Sequence, residues 1–152
     1  MYCNPELMAT IMSSSQSLEG GCLCGAVRYR VEGAPNWSAH CHCKDCRRAS
    51  GAPFVTYAAF RPARLHWIKG RPTAFASSPG VTRSFCGKCG SPLAYEGERW
   101  PGEIHIHVGT LDHPEAIQPQ AHGYTIHKLP WLKLADGLRQ IPVPASEAKN
   151  KE

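Results

Sequence analysis

Three cysteines lie within six residues of one another in the middle of the chain, at Cys41, Cys43 and Cys46. Spacing this short lets one loop wrap a single soft metal ion such as zinc. Zinc takes four tetrahedral ligands, and a structural site takes all four from the protein. A local set of three therefore favours a site with one position left for water or substrate. A structural site that a distant Cys or His closes is equally compatible with these six residues.

Four more cysteines form two pairs on either side of this triplet. The first pair is a Cys-X-Cys motif at Cys22 and Cys24, and the second is a Cys-X-X-Cys motif at Cys86 and Cys89. Glycines flank both motifs and permit the tight backbone conformations that turn two sulfur atoms toward one ion. The two pairs can meet as a closed four-sulfur zinc site, which leaves the triplet with an open position.

Two sites that are both filled by protein would need an eighth ligand. The candidates are Cys3, which is isolated near the N-terminus, and the two histidines beside the triplet, His40 and His42. The sequence leaves this alternative open.

The compartment decides how the cysteines are used. The N-terminus lacks the pattern of a secretory signal, and no apolar stretch reaches membrane-spanning length, so we expect a cytoplasmic protein. In a reduced compartment, closely spaced cysteines are metal ligands more often than disulfides. A thiol-disulfide oxidoreductase built on Cys86 and Cys89 would need a helix after the motif, which the glycines and Pro92 disfavour.

Composition and patterning predict an all-β fold in a single domain. The chain has 152 residues with 14 Gly and 13 Pro, which suits short strands joined by tight turns. Val27, Tyr29 and Val31 alternate with polar residues as in a strand with one wet face, and 54–60 is rich in aromatic and β-branched types. We place the domain at residues 18–140, between flexible tails at 1–17 and 141–152.

Two local features complete the outline. Residues 47–53 predict a single helical turn followed by a loop. Ile104, Ile106 and Val108 alternate with His105 and His107, which predicts a strand whose histidines lie on its exposed side.

The charge balance is mildly basic, with 17 Lys and Arg against 12 Asp and Glu, a formal net charge of +5. This excess is spread along the chain and includes no basic tract interleaved with aromatics. It therefore counts against nucleic acid and is compatible with an anionic small molecule.

The three cysteine motifs together resemble the glutathione-dependent formaldehyde-activating enzymes, whose domain is shared with centromere protein V. The resemblance rests on 21–29, 41–51 and 85–93 and covers roughly 20–131. It implies a small tent-like arrangement of antiparallel sheets with two zinc ions per chain. By position, the structural ion would be held by Cys22, Cys24, Cys86 and Cys89, and the catalytic ion by Cys41, Cys43 and Cys46.

The same resemblance implies a carbon-sulfur lyase that adds a glutathione-like thiol to a small aldehyde such as formaldehyde, or the reverse. Lys44, Arg47 and Arg48 flank the triplet and could favour anionic sulfur and a substrate carboxylate. Asp45 or His42 could move the proton. The alternative from another class is a non-enzymatic zinc scaffold for a protein or chromatin partner.

Overall fold

The computed structural model describes residues 16–143, which form eleven β-strands and one α-helix. The all-β prediction is therefore confirmed. Residues 1–15 and 144–152, which hold Cys3 and most of the predicted tails, lie outside the described residues. The elements are β1 Ser17–Gly21, β2 Arg28–Glu32, β3 Trp37–Cys41, α1 Lys44–Ser50, β4 Val55–Phe60, β5 Leu65–Lys69, β6 Thr73–Ser78, β7 Val81–Phe85, β8 Pro92–Gly97, β9 Ile104–His107, β10 Ala121–Gly123 and β11 Arg139–Ile141.

The strands form two sheets. The small sheet has the order β1-β2-β5, and the large sheet has the order β11-β10-β3-β4-β9-β8-β7-β6. Pairing is antiparallel except at β10, which runs parallel to both β3 and β11. This short strand brings the chain after residue 120 back beside the strand that leads into the cysteine triplet.

One core joins the two sheets. Tyr29 and Val31 from the small sheet pack in the same buried cluster as Phe60, Leu93 and Ile106 from the large sheet. Each fully buried large apolar side chain stabilises the fold by about 1.5–3 kcal/mol. The strand alternation predicted around Tyr29 is confirmed, since residues 29 and 31 are buried and residues 30 and 32 are exposed.

The helix begins earlier than the sequence pattern indicated. It spans Lys44–Ser50 and so contains Cys46, whereas the prediction started the turn at residue 47. The N–H of Arg47 donates to the carbonyl of Cys43 at 3.0 Å. The first hydrogen bond of the helix therefore starts from one of the three triplet cysteines. Asp45 in that first turn is favoured by the helix dipole. The helix ends at Gly51, whose φ of +71° suits glycine.

The prediction that His105 and His107 lie on an exposed side is wrong. Their side chains are 2% and 8% exposed. Strand β9 lies in the interior of the large sheet between β4 and β8, and the ring of Trp37 covers His105 at a centroid distance of 4.6 Å. The period of two identified a strand with two faces but not whether both faces were covered.

Candidate metal centres and the adjoining cavity

The two cysteine pairs meet in space, as the sequence predicted. All four sulfur atoms lie within 4.8 Å of one another. The Sγ atom of Cys24 lies 3.6 Å from that of Cys22 and 3.8 Å from that of Cys86. A disulfide would require about 2.05 Å, whereas two sulfurs of a tetrahedral zinc site with Zn–S bonds near 2.3 Å are about 3.8 Å apart. The cluster could therefore hold one metal ion, and its donors and spacing fit zinc.

Two tight turns, one after each cysteine motif, position the four sulfur atoms. Gly25 and Gly90 follow the two motifs with φ of +72° and +78°, a region that glycine enters without strain. The N–H of Val27 donates to the Cys22 sulfur at 3.2 Å. Hydrogen bonds from the side chain and backbone of Ser91 lower the pKa of Cys89 to about 5. The turns thus supply the amide and hydroxyl donors that stabilise thiolate sulfur.

The triplet is assembled where β3 runs into α1. Cys41 is the last residue of β3, Cys43 caps the helix, and Cys46 lies one turn into it. Hydrogen bonding with Cys41 and Cys46 lowers the pKa of Cys43 far below its ordinary value, whereas hydrogen bonding with Cys43 and Cys46 raises that of Cys41. Adjacent like charges disfavour one another. Three thiolates here therefore require a cation to be ionised together, which is what a zinc ligand set requires.

The structure brings the triplet together less tightly than the four-cysteine cluster. Within residues 16–143, the groups of possible ligands whose atoms all lie within 4.8 Å of one another are that cluster and a group of His40, His122 and Asp136. Each of the two histidines proposed as extra ligands has one ring nitrogen engaged elsewhere, while the buried Nδ1 of His42 has no hydrogen-bond partner among the described residues. His40 pairs its Nδ1 with Thr56 Oγ1 at 2.8 Å, and His42 pairs its Nε2 with His122 Nδ1 at 2.9 Å.

A cation and a phenol contact the triplet from the large sheet. The guanidinium of Arg83 on β7 donates to the Cys46 sulfur at 3.7 Å and to the Tyr57 hydroxyl at 3.4 Å. The hydroxyl of Tyr57 also donates to the Cys46 sulfur at 3.6 Å. Burial raises the pKa of Tyr57, so this phenol stays protonated and remains a donor. Both groups favour negative charge on Cys46.

A cavity of about 690 Å³ opens over the triplet. All three triplet cysteines line it, and its wall includes the aromatic rings of Trp37, Tyr57, Tyr95, Trp100, His105 and Tyr124. Tyr124 has φ of +56°, a left-handed conformation that costs a non-glycine residue about 1–2 kcal/mol and that clusters at functional sites. The cavity is far larger than an aldehyde of one carbon and has room for a substrate of peptide size.

The charged side chains around the cavity differ from those that the sequence suggested. Arg83, Arg99, Asp45 and Glu98 line it, whereas Lys44, Arg47 and Arg48 do not. Residues 44, 47 and 48 are spaced three and four apart, so they share a helix face other than the one that carries Cys46. Asp45 is thus the sequence-predicted proton carrier that reaches the cavity, and His42 is not among the lining residues.

Sequence reasoning missed Arg83, Tyr57 and the aromatic wall. The available signal was weak: Arg83 shares one face of the 81–85 strand pattern with Val81 and Phe85, and Tyr57 was expected in the core. No spacing rule connected either residue to the cysteines.

The fold and these cysteine groups define the class of the protein: a small all-β domain with a four-cysteine group that could hold a metal ion and a separate cysteine triplet facing a cavity. The family model "Glutathione-dependent formaldehyde-activating enzyme" matches residues 17–127. The chain belongs to this family, which confirms the resemblance noted from the three motifs.

Two individual proteins are also similar to this chain. A Halomonas elongata protein, provisionally named a glutathione-dependent formaldehyde-activating enzyme, is 29% identical over 126 residues, covering 77% of this chain and 80% of the relative. The crystal structure of a Rhodobacter sphaeroides protein is similar with a TM-score of 0.54 and 25% identity, covering 67% of this chain and 92% of the other. Within residues 16–143, no helix is long and apolar enough to cross a membrane.

Proposed function

We propose that the protein is a zinc-dependent enzyme that adds a low-molecular-weight thiol such as glutathione to a small aldehyde such as formaldehyde, and catalyses the reverse cleavage. This places it with the carbon-sulfur lyases. The observation that carries the proposal is a three-cysteine group at the wall of a large cavity, with the guanidinium of Arg83 donating a hydrogen bond to one of its sulfur atoms. Family membership and the name of the Halomonas relative support the choice of thiol and aldehyde.

The proposal includes two zinc ions per chain with different surroundings. Cys22, Cys24, Cys86 and Cys89 would hold the structural ion. The second would be held by Cys41, Cys43 and Cys46. Zinc on three thiolates carries one net negative charge, so it suits holding a substrate thiolate better than generating hydroxide.

The reaction makes simple demands on the chain's own residues. The thiol sulfur attacks the carbonyl carbon, a carbon–sulfur bond forms, and the carbon–oxygen π pair moves to oxygen. The thiol proton ends on that oxygen. Two carboxylates, Asp45 and Glu98, line the cavity, and we assign the transfer to Asp45, which is next but one to Cys43. Arg83 and Tyr57 stabilise anionic sulfur, and Arg99 brings a cation to the wall where a substrate carboxylate can bind.

The cytoplasmic location expected from the sequence is part of the same proposal. Every described cysteine is a free thiol, which is the redox state that thiol addition and zinc ligation require. Small-molecule substrates, rather than nucleic acid or a membrane, are the partners that the cavity favours.

Exchange spectroscopy of glutathione and formaldehyde, with and without the zinc-loaded protein, tests this function. We expect the wild type to accelerate formation of the hydroxymethyl adduct and Cys43→Ala to lose the acceleration while keeping its fold and one zinc ion. Cys3→Ala is the matched control, because Cys3 is the cysteine assigned to neither site, and it should behave as wild type.

Two results would contradict the proposal. Acceleration by Cys43→Ala equal to wild type would remove the triplet from the chemistry. No acceleration by a wild type that carries two zinc ions would return the non-enzymatic scaffold as the better explanation.

A further inference from the structure

A second group of possible metal ligands lies beside the strand that leads into the triplet but does not include any cysteine. His40 on β3 is directly opposite His122 on β10 in the parallel register, and their rings are 4.8 Å apart with planes tilted by 33°. Asp136 reaches the same place from the segment before β11. One ligand atom from each of the three lies within 4.8 Å of the other two.

Each of these three side chains is held by an atom that a metal would not use. The Nδ1 of His40 pairs with Thr56, its register partner on β4, which leaves Nε2 available. The Nδ1 of His122 pairs with Nε2 of His42 at 2.9 Å, so its Nε2 is the nitrogen that faces Asp136. Metal-binding histidines are usually oriented in this way through the nitrogen that does not bind the ion.

The carboxylate is oriented in the same manner. Asp136 accepts the N–H of Leu138 on Oδ1 at 3.0 Å, so its other oxygen, Oδ2, faces the ring of His122. That oxygen lies 2.8 Å from His122 Nε2. When the His122 proton is on Nδ1, a nitrogen lone pair and a carboxylate oxygen face each other across this gap, and a metal ion bound to both would remove their repulsion.

The donor set and its exposure favour a transition metal. Two imidazole nitrogens and one carboxylate oxygen suit divalent ions of the zinc, cobalt, nickel and iron group, with water in the remaining positions. His122 is buried and Asp136 is 43% exposed on its side chain, so an ion can enter from the Asp136 side and keep water ligands. Zn–N and Zn–O bonds near 2.0–2.1 Å place two ligand atoms of one ion about 3.0–3.4 Å apart. The observed separations allow this after small side-chain rotations.

We propose that His40, His122 and Asp136 form a third metal site that binds one divalent transition-metal ion. The site shares no ligand with the two cysteine groups and does not depend on the proposed enzymatic activity. A bound ion would tie the segment around Asp136 to β3, the strand that ends in Cys41.

Metal counting on the full chain tests the proposal. The protein is saturated with zinc, dialysed against Co²⁺, and its total zinc plus cobalt per chain is measured by atomic emission. Asp136→Asn is the informative variant, because the amide keeps the acceptor for Leu138 and can donate to His122 but lacks the negative charge. Asp112→Asn is the matched control: its carboxylate is 44% exposed and pairs with Arg28 instead.

We expect the wild type and Asp112→Asn to bind one ion per chain more than Asp136→Asn, whose affinity for that ion should fall by at least about 100-fold. Paramagnetic Co²⁺ should also broaden the ring-proton signals of His40 and His122 in the wild type and leave them sharp in Asp136→Asn. Equal ion counts in wild type and Asp136→Asn, with unbroadened ring signals, would overturn the proposal and leave an ordinary His–Asp hydrogen bond.

Discussion

Replacing Arg83 by methionine tests the account of how the triplet holds negative charge. Methionine keeps an unbranched apolar side chain, which can still pack on the ring of Tyr95 where the guanidinium now lies at 5.1 Å from the centroid. The change removes the cation and its donors to the Cys46 sulfur and to the Tyr57 hydroxyl. Tyr57 remains as a donor to Cys46, so the sulfur keeps one of its two contacts.

The distance sets the expected magnitude. Unit charges 3.7 Å apart attract by about 4 kcal/mol at an effective dielectric constant near 20. Arg83 is only partly buried, and solvent screening reduces this value. Hydrogen bonds to charged groups contribute about 1.5–3 kcal/mol. A loss of that size slows a step that depends on anionic sulfur by roughly 10- to 100-fold.

The assay is the glutathione–formaldehyde exchange rate, measured with equal protein and with zinc content determined for each sample. Arg71→Met is the matched control, because Arg71 is an exposed arginine outside the cavity lining and should leave the rate unchanged. A rate for Arg83→Met within twofold of wild type, at equal zinc content, would refute the claim that this cation stabilises anionic sulfur at the triplet.

Two further predictions concern stability. Cys86→Ala removes a buried cysteine of the four-sulfur cluster. Structural zinc contributes about 10–16 kcal/mol of apparent binding free energy, which is as large as the whole stability of a domain, about 5–15 kcal/mol. We therefore expect circular dichroism to show an unfolded chain. A cooperative thermal transition close to that of wild type would contradict this. Burial lowers the pKa of His107 to about 4, whereas the same side chain in the unfolded chain is protonated near pH 6.5. The free energy of unfolding therefore decreases as pH falls from about 6.5 to 4, and between pH 7 and pH 5 it decreases by about 2 kcal/mol. Urea unfolding of His107→Gln should show a pH 7 to pH 5 loss smaller by that amount, and an identical loss in both proteins would exclude His107 as the cause.

The grouping of the cysteines was predictable because it follows from residue type and spacing. Thiols two or three residues apart can reach one ion whatever the rest of the chain does, so Cys22 and Cys24 could be paired with Cys86 and Cys89 across more than sixty residues. The strand around Tyr29 was predictable for a similar reason, since a period of two is a local property.

The surroundings of the triplet depend instead on sheet order, which local sequence does not encode. Arg83, which pairs with Tyr95 on β8, reaches Cys46 although three strands separate β7 from β3 in the large sheet. His122 lies beside His40 because three residues of β10 pair in parallel with β3. A strand of three residues has too little periodicity to be recognised, and its partner could not be chosen from the sequence.

The central claim is that the two cysteine groups bind zinc unequally, one ion enclosed by four sulfurs and the other reachable by substrate. A crystal structure of the zinc-loaded protein, with diffraction recorded at the zinc absorption edge, tests it directly. The account predicts one peak bonded by Cys22, Cys24, Cys86 and Cys89, and a second bonded by Cys41, Cys43 and Cys46 with solvent as the fourth ligand. A fourth protein atom on the second ion, or a disulfide within the triplet, would contradict it.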